Sequence, residues 1–209
     1  GINPLRNTFF TGIKKLLAGE TIVYDIINKK IRNRKRVYIK PNSNKKFNPE
    51  EFRRIAQQSI KMASIGQRKI GVFLSGGLDS SLVAYELKKV VGEANTFTNR
   101  MVPNYIHPKD GDYNEDANCA KLLAEVNNFI HNEIIITPEI IKEHWNDSIY
   151  YMEQPVYSPS LAMYCYTNKI LHDNGIVVTM AGDMGDEILG GYPKYLSLIH
   201  ISEPTRRYR

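Results

Sequence analysis

Residues 69–86, KIGVFLSGGLDSSLVAYE, constrain the fold more than any other stretch of the chain. An apolar run at 70–74 stops at Ser75-Gly76-Gly77, and an amphipathic run starts at Leu78-Asp79-Ser80-Ser81. This spacing predicts a strand, a tight loop and the start of a helix. Two adjacent glycines let the backbone turn sharply and approach a ligand with no Cβ in between. The loop and the first helical turn leave amide N–H groups unpaired at one point, with the positive end of the helix dipole behind them. Such a point binds phosphate. Ser75, Ser80 and Ser81 add hydroxyl donors, and Asp79 offers a carboxylate to a metal ion beside the phosphates.

A Gly-Gly turn alone fits any strand-to-helix crossover, where an N-capping serine has only a structural role. The full string S-G-G-x-D-S is more specific. It lacks the lysine of G-x-x-x-x-G-K-[ST] and does not match G-x-G-x-x-G. Residues 75–81 resemble the pyrophosphate-binding loop of the ATP pyrophosphatases. Those enzymes cleave ATP to AMP and pyrophosphate while adenylating a substrate.

The rest of the chain alternates strand and helix patterns. A helix over 49–63, capped by Asn48, has Phe52, Ile55, Ala56, Ser59, Ile60 and Ala63 on its inner face. After the strand at 70–74 comes a helix over 80–90, with Leu82, Val83, Leu87 and Val90 facing inward. A strand at 95–102, a loop at 103–112 and a helix starting at 113–116 follow, the last facing inward with Ala117, Ala120, Leu123, Ala124 and Val126. Next are a strand at 131–136, one helix over 138–151, a helix over 159–173 and a strand at 176–180. Short, apolar, unbroken strands alternating with helices predict an α/β fold with a parallel sheet covered on both faces. Ligands of such sheets bind beyond the carboxyl ends of the strands. The Gly-Gly loop lies at one such end.

A second unusual loop lies at another. Residues 181–192 read AGDMGDEILGGY. Asp183, Asp186 and Glu187 are expected on one side of a helical turn. Like charges so close are tolerable when solvent screens them or a cation lies between them. By itself the stretch fits an acidic first turn, which the helix dipole favours. Beside the Gly-Gly loop it reads as a magnesium site facing ATP, with one carboxylate from each loop and the phosphates as further ligands.

The string S-G-G-L-D-S-S followed by G-x-x-x-D-E-x-x-G-G-Y is similar to the synthetase domain of the glutamine-dependent asparagine synthetases. Tyr113-Asn114-Glu115, Glu153 before a proline-containing loop, and residues 160–170 agree with it. Gly12 to Leu16 with Gly19-Glu20 resembles the end of that family's N-terminal glutaminase domain. The resemblance runs over residues 8–195 and implies a three-layer, Rossmann-like fold of the adenine nucleotide alpha hydrolase type. It implies ATP and Mg2+ as cofactors. A carboxylate, the aspartate side chain in that family, is adenylated, and ammonia or a glutaminase domain then supplies nitrogen for the amide. By the same resemblance, Ser75, Gly76, Gly77, Leu78, Asp79, Ser80 and Ser81 hold pyrophosphate. Leu74, Asn99, Ala181 and Gly182 border the nucleotide, Asp79 and Asp186 hold the metal, and Asp183 and Glu153 act in catalysis. The full-length family protein is expected to be a homodimer.

The departures are specific. The family's S-G-E-G-[AS]-D-E stands here with alanine at 181, a shorter acid at 183 and Met184 in place of glycine. The family's glutaminase nucleophile is an N-terminal cysteine, whereas this chain starts at Gly1 and its first cysteine is Cys119. Glutamine hydrolysis by that route is not expected. Residues 1–47 read as the remnant of a glutaminase-like end plus a linker, with a hairpin of strands at 21–27 and 31–39. Residues 48–196 read as the synthetase-like domain, and 197–209 as an irregular, non-native tail.

Two cysteines without C-x-x-C spacing argue against a zinc site or a disulfide framework and fit a reducing cytoplasm. No apolar run is long enough for a membrane span, and the first residues lack a signal-peptide core. The net charge of +6 is concentrated at 29–46. With Tyr38 as the one aromatic there, that stretch reads as a solvated hairpin and linker, not a nucleic-acid surface. It remains the one support for an alternative, a tRNA-modifying ATP pyrophosphatase. A nucleotide-binding chain without catalysis is the other alternative.

Overall fold

A computed structural model describes residues 6–38, 46–104, 106–107, 111–183 and 185–191. The expected tail at 197–209, most of the linker before Phe47, and Met184 and Tyr192 of the acidic loop lie outside the described residues.

Four parallel strands form the central sheet: β3 (Ile70–Phe73), β4 (Asn95–Met101), β7 (Ile130–Ile136) and β8 (Val178–Met180). Their spatial order is β7-β4-β3-β8. The chain therefore builds outward from β3 through β4 to β7, then returns to place β8 on the other side of β3. The order reverses between β3 and β8, and the crevice at such a reversal is where doubly wound sheets take their ligands.

Side-chain alternation fills both faces of this sheet. Val72 and Leu74 pack with Ala84 and Leu87 of α2 (Leu78–Val91) and with Ala120 and Ala124 of α3 (Glu115–Asn127). Phe97, Ile134 and Ile136 pack on the opposite face with Leu171 of α6 (Pro159–Asp173). The expected three-layer, Rossmann-like α/β architecture is what the strand order and the two cores show.

Several elements differ from the sequence reading. Helix α1 (Pro49–Ala63) has the expected limits, capped by the Asn48 side chain, but none of its residues is fully buried. It leans on α2 from outside, so only Phe52, Ala56 and Ile60 of the expected face are half-buried, while Ile55, Ser59 and Ala63 are exposed. On α2 the buried positions are Ser80, Ala84, Glu86 and Leu87, whereas Leu82 and Val90 face solvent. On α3, Val126 is exposed. The single helix expected over 138–151 is two, α4 (Pro138–Glu143) and α5 (Trp145–Met152). The loop at 103–112 holds a small antiparallel pair, β5 (Ile106–His107) with β6 (Gly111–Asp112).

Ahead of the sheet, β1 (Glu20–Asp25) and β2 (Lys30–Arg36) form a separate two-stranded antiparallel hairpin with a bulge after Val23. A bidentate Arg6–Glu20 pair, at 2.7 and 2.6 Å, ties it to the preceding segment. Among the described residues no helix is long and apolar enough to cross a membrane.

Candidate active site

The two loops predicted to act together meet at the reversal between β3 and β8. Glycines make the meeting possible. A Cβ on Gly182 would lie 2.5 Å from the Ser80 amide nitrogen and 2.9 Å from Asp79 Cβ. A Cβ on Gly185 would lie 2.3 Å from Asp79 Oδ2. The backbone after β8 thus lies flat against the start of α2 and against the Asp79 carboxylate. A side chain at 182 would force the loops apart, and one at 185 would displace the Asp79 carboxylate.

Above this junction opens a cleft of about 1220 Å3. Its floor is the Gly-Gly loop, and hydroxyls hold that loop in shape. The Ser75 amide donates to Ser80 Oγ at 3.1 Å, and the two hydroxyls are 2.9 Å apart. The Gly77 carbonyl accepts from the Ser81 hydroxyl at 2.6 Å and the Ser81 amide at 3.2 Å. Gly77 is the N-cap of α2, and no side chain caps that end. Helices α1, α4 and α6 are capped by Asn48, Thr137 and Ser158. The first amides of α2 are therefore left open toward the cleft, as an anion site requires.

The two glycines have different duties. Gly76 has φ +80°, and a Cβ there would lie 2.7 Å from the Asp116 carbonyl oxygen and from Cys119 Cβ. Its place is set by the turn and by packing on α3, and it does not line the cleft. Gly77 is in an ordinary extended conformation, and a Cβ would meet only Ser75 Oγ, at 3.4 Å. Nothing in the fold itself demands glycine at 77. Its missing side chain leaves room on the cleft side.

Four carboxylates, Asp79, Asp116, Asp183 and Asp186, line the cleft, and Asp79, Asp183 and Asp186 belong to its two loops. None of the three has a cationic partner among the described residues, and no Lys or Arg is among the residues lining it. Phosphate held here would rest on amides, hydroxyls and a cation. The carboxylates are arranged differently from the sequence expectation. Helix α7 (Gly185–Leu189) is a single turn that contains Asp186 and Glu187 but leaves Asp183 outside, so the three acids do not share one side of it. No group of three His, Cys, Asp or Glu residues close enough to chelate a metal forms among the described residues. The fit is instead to two carboxylates backed by glycine: Asp79 against Gly185, and Asp186 Oδ1 close to Gly191. Oxygen donors of this kind suit magnesium, which keeps several water or phosphate ligands of its own.

Of the residues expected around the nucleotide, Leu74, Ser75, Gly77, Leu78, Asp79, Ser80, Asn99, Ala181 and Gly182 line the cleft with Asp183 and Asp186. The structure departs at four points. Gly76 turns its back on the cleft. Ser81 is spent on the Gly77 carbonyl. Leu74 is only 2% exposed, because its side chain points into the core under α2. Glu153 ends α5 in a left-handed conformation (φ 52°) and lies in a separate groove beside Phe10 and Tyr151.

Sequence reasoning missed the second wall. Phe97 and Met101 of β4 and Met163, Tyr164 and Asn168 of α6 form an apolar flank with a few polar groups. Tyr164 stands edge-on to Phe73, with ring centroids 5.9 Å apart. The signal was present as alternation in β4 and as the i, i+4 pair Tyr164 and Asn168. What the sequence does not reveal is that α6 covers the same end of the sheet as the loops. Asn114, 3% exposed, braces the far rim by accepting from the Met101 amide at 2.8 Å and donating to its carbonyl at 2.9 Å.

The family model for asparagine synthase matches residues 51–208. The chain is 29% identical over 152 residues to asparagine synthetase [glutamine-hydrolyzing] 2 of Oryza sativa subsp. japonica, covering 70% of this chain and 25% of that protein. It is 26% identical over 203 residues to the putative asparagine synthetase [glutamine-hydrolyzing] 2 of Methanocaldococcus jannaschii, covering 94% and 37%. The chain thus spans between a quarter and two-fifths of the length of these curated relatives. Among solved structures, the NMN synthetase of Francisella tularensis aligns with TM-score 0.47 at 16% identity, over 72% of this chain and 61% of that one. The NH3-dependent NAD synthetase of Campylobacter jejuni aligns with TM-score 0.42 at 22% identity, over 72% and 63%. With its family match extending over most of its length, the chain belongs to the asparagine synthase family.

Proposed function

We propose that the cleft binds ATP with magnesium and that the chain carries the ATP-using half of an amide-forming ligase. One observation carries this reading. The uncapped start of α2, with Asp79 in its first turn, is pressed against the backbone of Gly182 and Gly185, so an anion site and a carboxylate pair share one cleft.

In this reading the uncapped amides at the start of α2 receive the β- and γ-phosphates, and the hydroxyls of Ser75 and Ser80, bonded within the loop, hold it in shape. A carboxylate oxygen of the substrate, the aspartate side chain by family, attacks the α-phosphorus. The bond from that phosphorus to the bridging oxygen breaks, and pyrophosphate leaves with the electron pair. Magnesium held by Asp79 and Asp186 would offset the charge gathering on the leaving group. Ammonia, free or released by a glutaminase domain, then attacks the acyl carbon. The carbon–oxygen bond to AMP breaks, and nitrogen gives up a proton. Asp183, exposed and lining the same cleft, would orient the incoming ammonia. Glu153 has no part in this scheme.

Aspartate-dependent exchange of labelled pyrophosphate into ATP tests the proposal. Exchange that requires both aspartate and magnesium supports it. Nucleotide binding without exchange under any carboxylate would reduce the chain to a nucleotide binder.

A further inference from the structure

One buried polar pair behind the cleft has no role in the scheme so far. Thr167 of α6 is 1% exposed, and its hydroxyl donates to Asn99 Oδ1 at 2.8 Å. Asn99 stands on β4 between Phe97 and Met101, and all three line the cleft. The direction of this bond decides what Asn99 can do. Were the amide turned over, its NH2 would donate to Thr167, and the buried hydroxyl proton would have to turn to a carbonyl of its own helix one turn back, a bond the structure does not show. With the hydroxyl donating, every hydrogen-bonding demand of Thr167 as a donor is met, and the carboxamide oxygen of Asn99 is occupied. Its NH2 then has no partner among the described residues and borders the open cleft.

We infer that Thr167 is a positioning residue that fixes Asn99 as a hydrogen-bond donor, and that Asn99 uses this NH2 to select a heteroaromatic base with an unprotonated ring nitrogen. The surroundings favour a flat, weakly polar ring over a carboxylate. Met101, Met163 and the exposed face of Tyr164 offer area for stacking, and no Lys or Arg is among the described residues that line the cleft. The inference rests on the proposed nucleotide reading and adds the group that reads the base. It also assigns a purpose to a polar residue in a strand position whose neighbours along the same face, Phe97 and Met101, are apolar.

Calorimetric titration of ATP and of inorganic tripolyphosphate, each with magnesium, separates the two levels of the claim. The proteins are the unaltered chain, Thr167→Val, Thr167→Ser, Asn99→Leu and the Thr167→Val/Asn99→Leu double variant. The inference predicts that Thr167→Val and Asn99→Leu each weaken ATP by roughly three- to tenfold, the range of one hydrogen bond. Thr167→Ser keeps the original affinity, the double variant is no weaker than Asn99→Leu alone, and tripolyphosphate is unchanged throughout. Unaltered ATP affinity in both single variants overturns the inference while leaving the nucleotide reading intact. Equal loss for tripolyphosphate and ATP also overturns it, because Thr167 would then act on the loop as a whole. If Thr167→Val fails to fold, Asn99→Leu decides the matter by the same comparison. Failure of the unaltered chain to bind either ligand overturns the nucleotide reading, and the inference with it.

Discussion

Gly76 and Gly77 look equivalent in the sequence and are not. The string S-G-G-L-D-S makes the turn and its closeness to a ligand legible, but not the division of labour. Gly76 combines φ +80° with a backbone carbonyl 2.7 Å from any added Cβ, while Gly77 borders open space. Gly76→Ala is therefore expected to destabilise the fold, by about 1–3 kcal/mol for a strained backbone position, seen as a lower thermal midpoint. Gly77→Ala is expected to leave that midpoint nearly unchanged and to weaken ATP instead. Asp79 is a third case. Its carboxylate has no ion-pair partner to lose, so Asp79→Asn should fold normally and lose magnesium-dependent ATP binding. Circular dichroism with a magnesium titration checks both halves, and normal magnesium dependence in that variant would remove Asp79 from the site.

Among the elements, strands were the most legible and helix faces the least. β3 is a short apolar run and β7 ends in three isoleucines, which sequence shows directly, while β4 places polar residues between its β-formers. Helix faces depend on neighbours: α1 has a regular apolar stripe yet lies outside α2, so half of that stripe meets solvent. The break between α4 and α5 was invisible because periodicity hardly changes across one residue. There His144 takes φ −91°, ψ 7°, its amide donating to the Ile140 carbonyl, and its ring lies 5.5 Å from Tyr166. In β7, His131 accepts or donates through Nδ1 to the fully buried Thr96 hydroxyl at 2.9 Å, while its buried Nε2 has no partner. Burial pulls its pKa below the usual 6.5, so the folded chain favours neutral imidazole. The unfolded chain then takes up a proton first as the pH falls through about 6.5, and stability drops with it. Denaturation midpoints measured downward from pH 7 should show this loss, and His131→Gln should reduce it. In the hairpin, Arg6 and the Leu17 amide hold the Glu20 carboxyl down at about 2. That depressed value means the tie between hairpin and preceding segment is complete above the ordinary carboxylate range and is lost as the pH falls toward about 2. An NMR titration of the Glu20 carboxyl carbon is expected to give that midpoint.

At the scale of the whole molecule, the strand order β7-β4-β3-β8 explains why two loops separated by most of the chain share one cleft. That juxtaposition was predicted from the carboxyl ends of two strands, but their adjacency needed the order itself. The positive charge of the chain lies elsewhere. In the hairpin Arg32 pairs with Asp25 at 2.6 Å, Arg34 approaches Glu20 at 3.6 Å and Arg36 stacks 4.8 Å over Tyr38. These arginines make contacts within the hairpin and with Tyr38 just beyond it. The central claim is that the loops at 75–81 and 181–187 close on one magnesium–ATP. Hydrogen exchange followed by mass spectrometry, with and without magnesium–ATP, tests it most directly. The account predicts slowed exchange in peptides from both loops together, with the β1–β2 hairpin unaffected. Protection confined to the hairpin, or to one loop without the other, would contradict it.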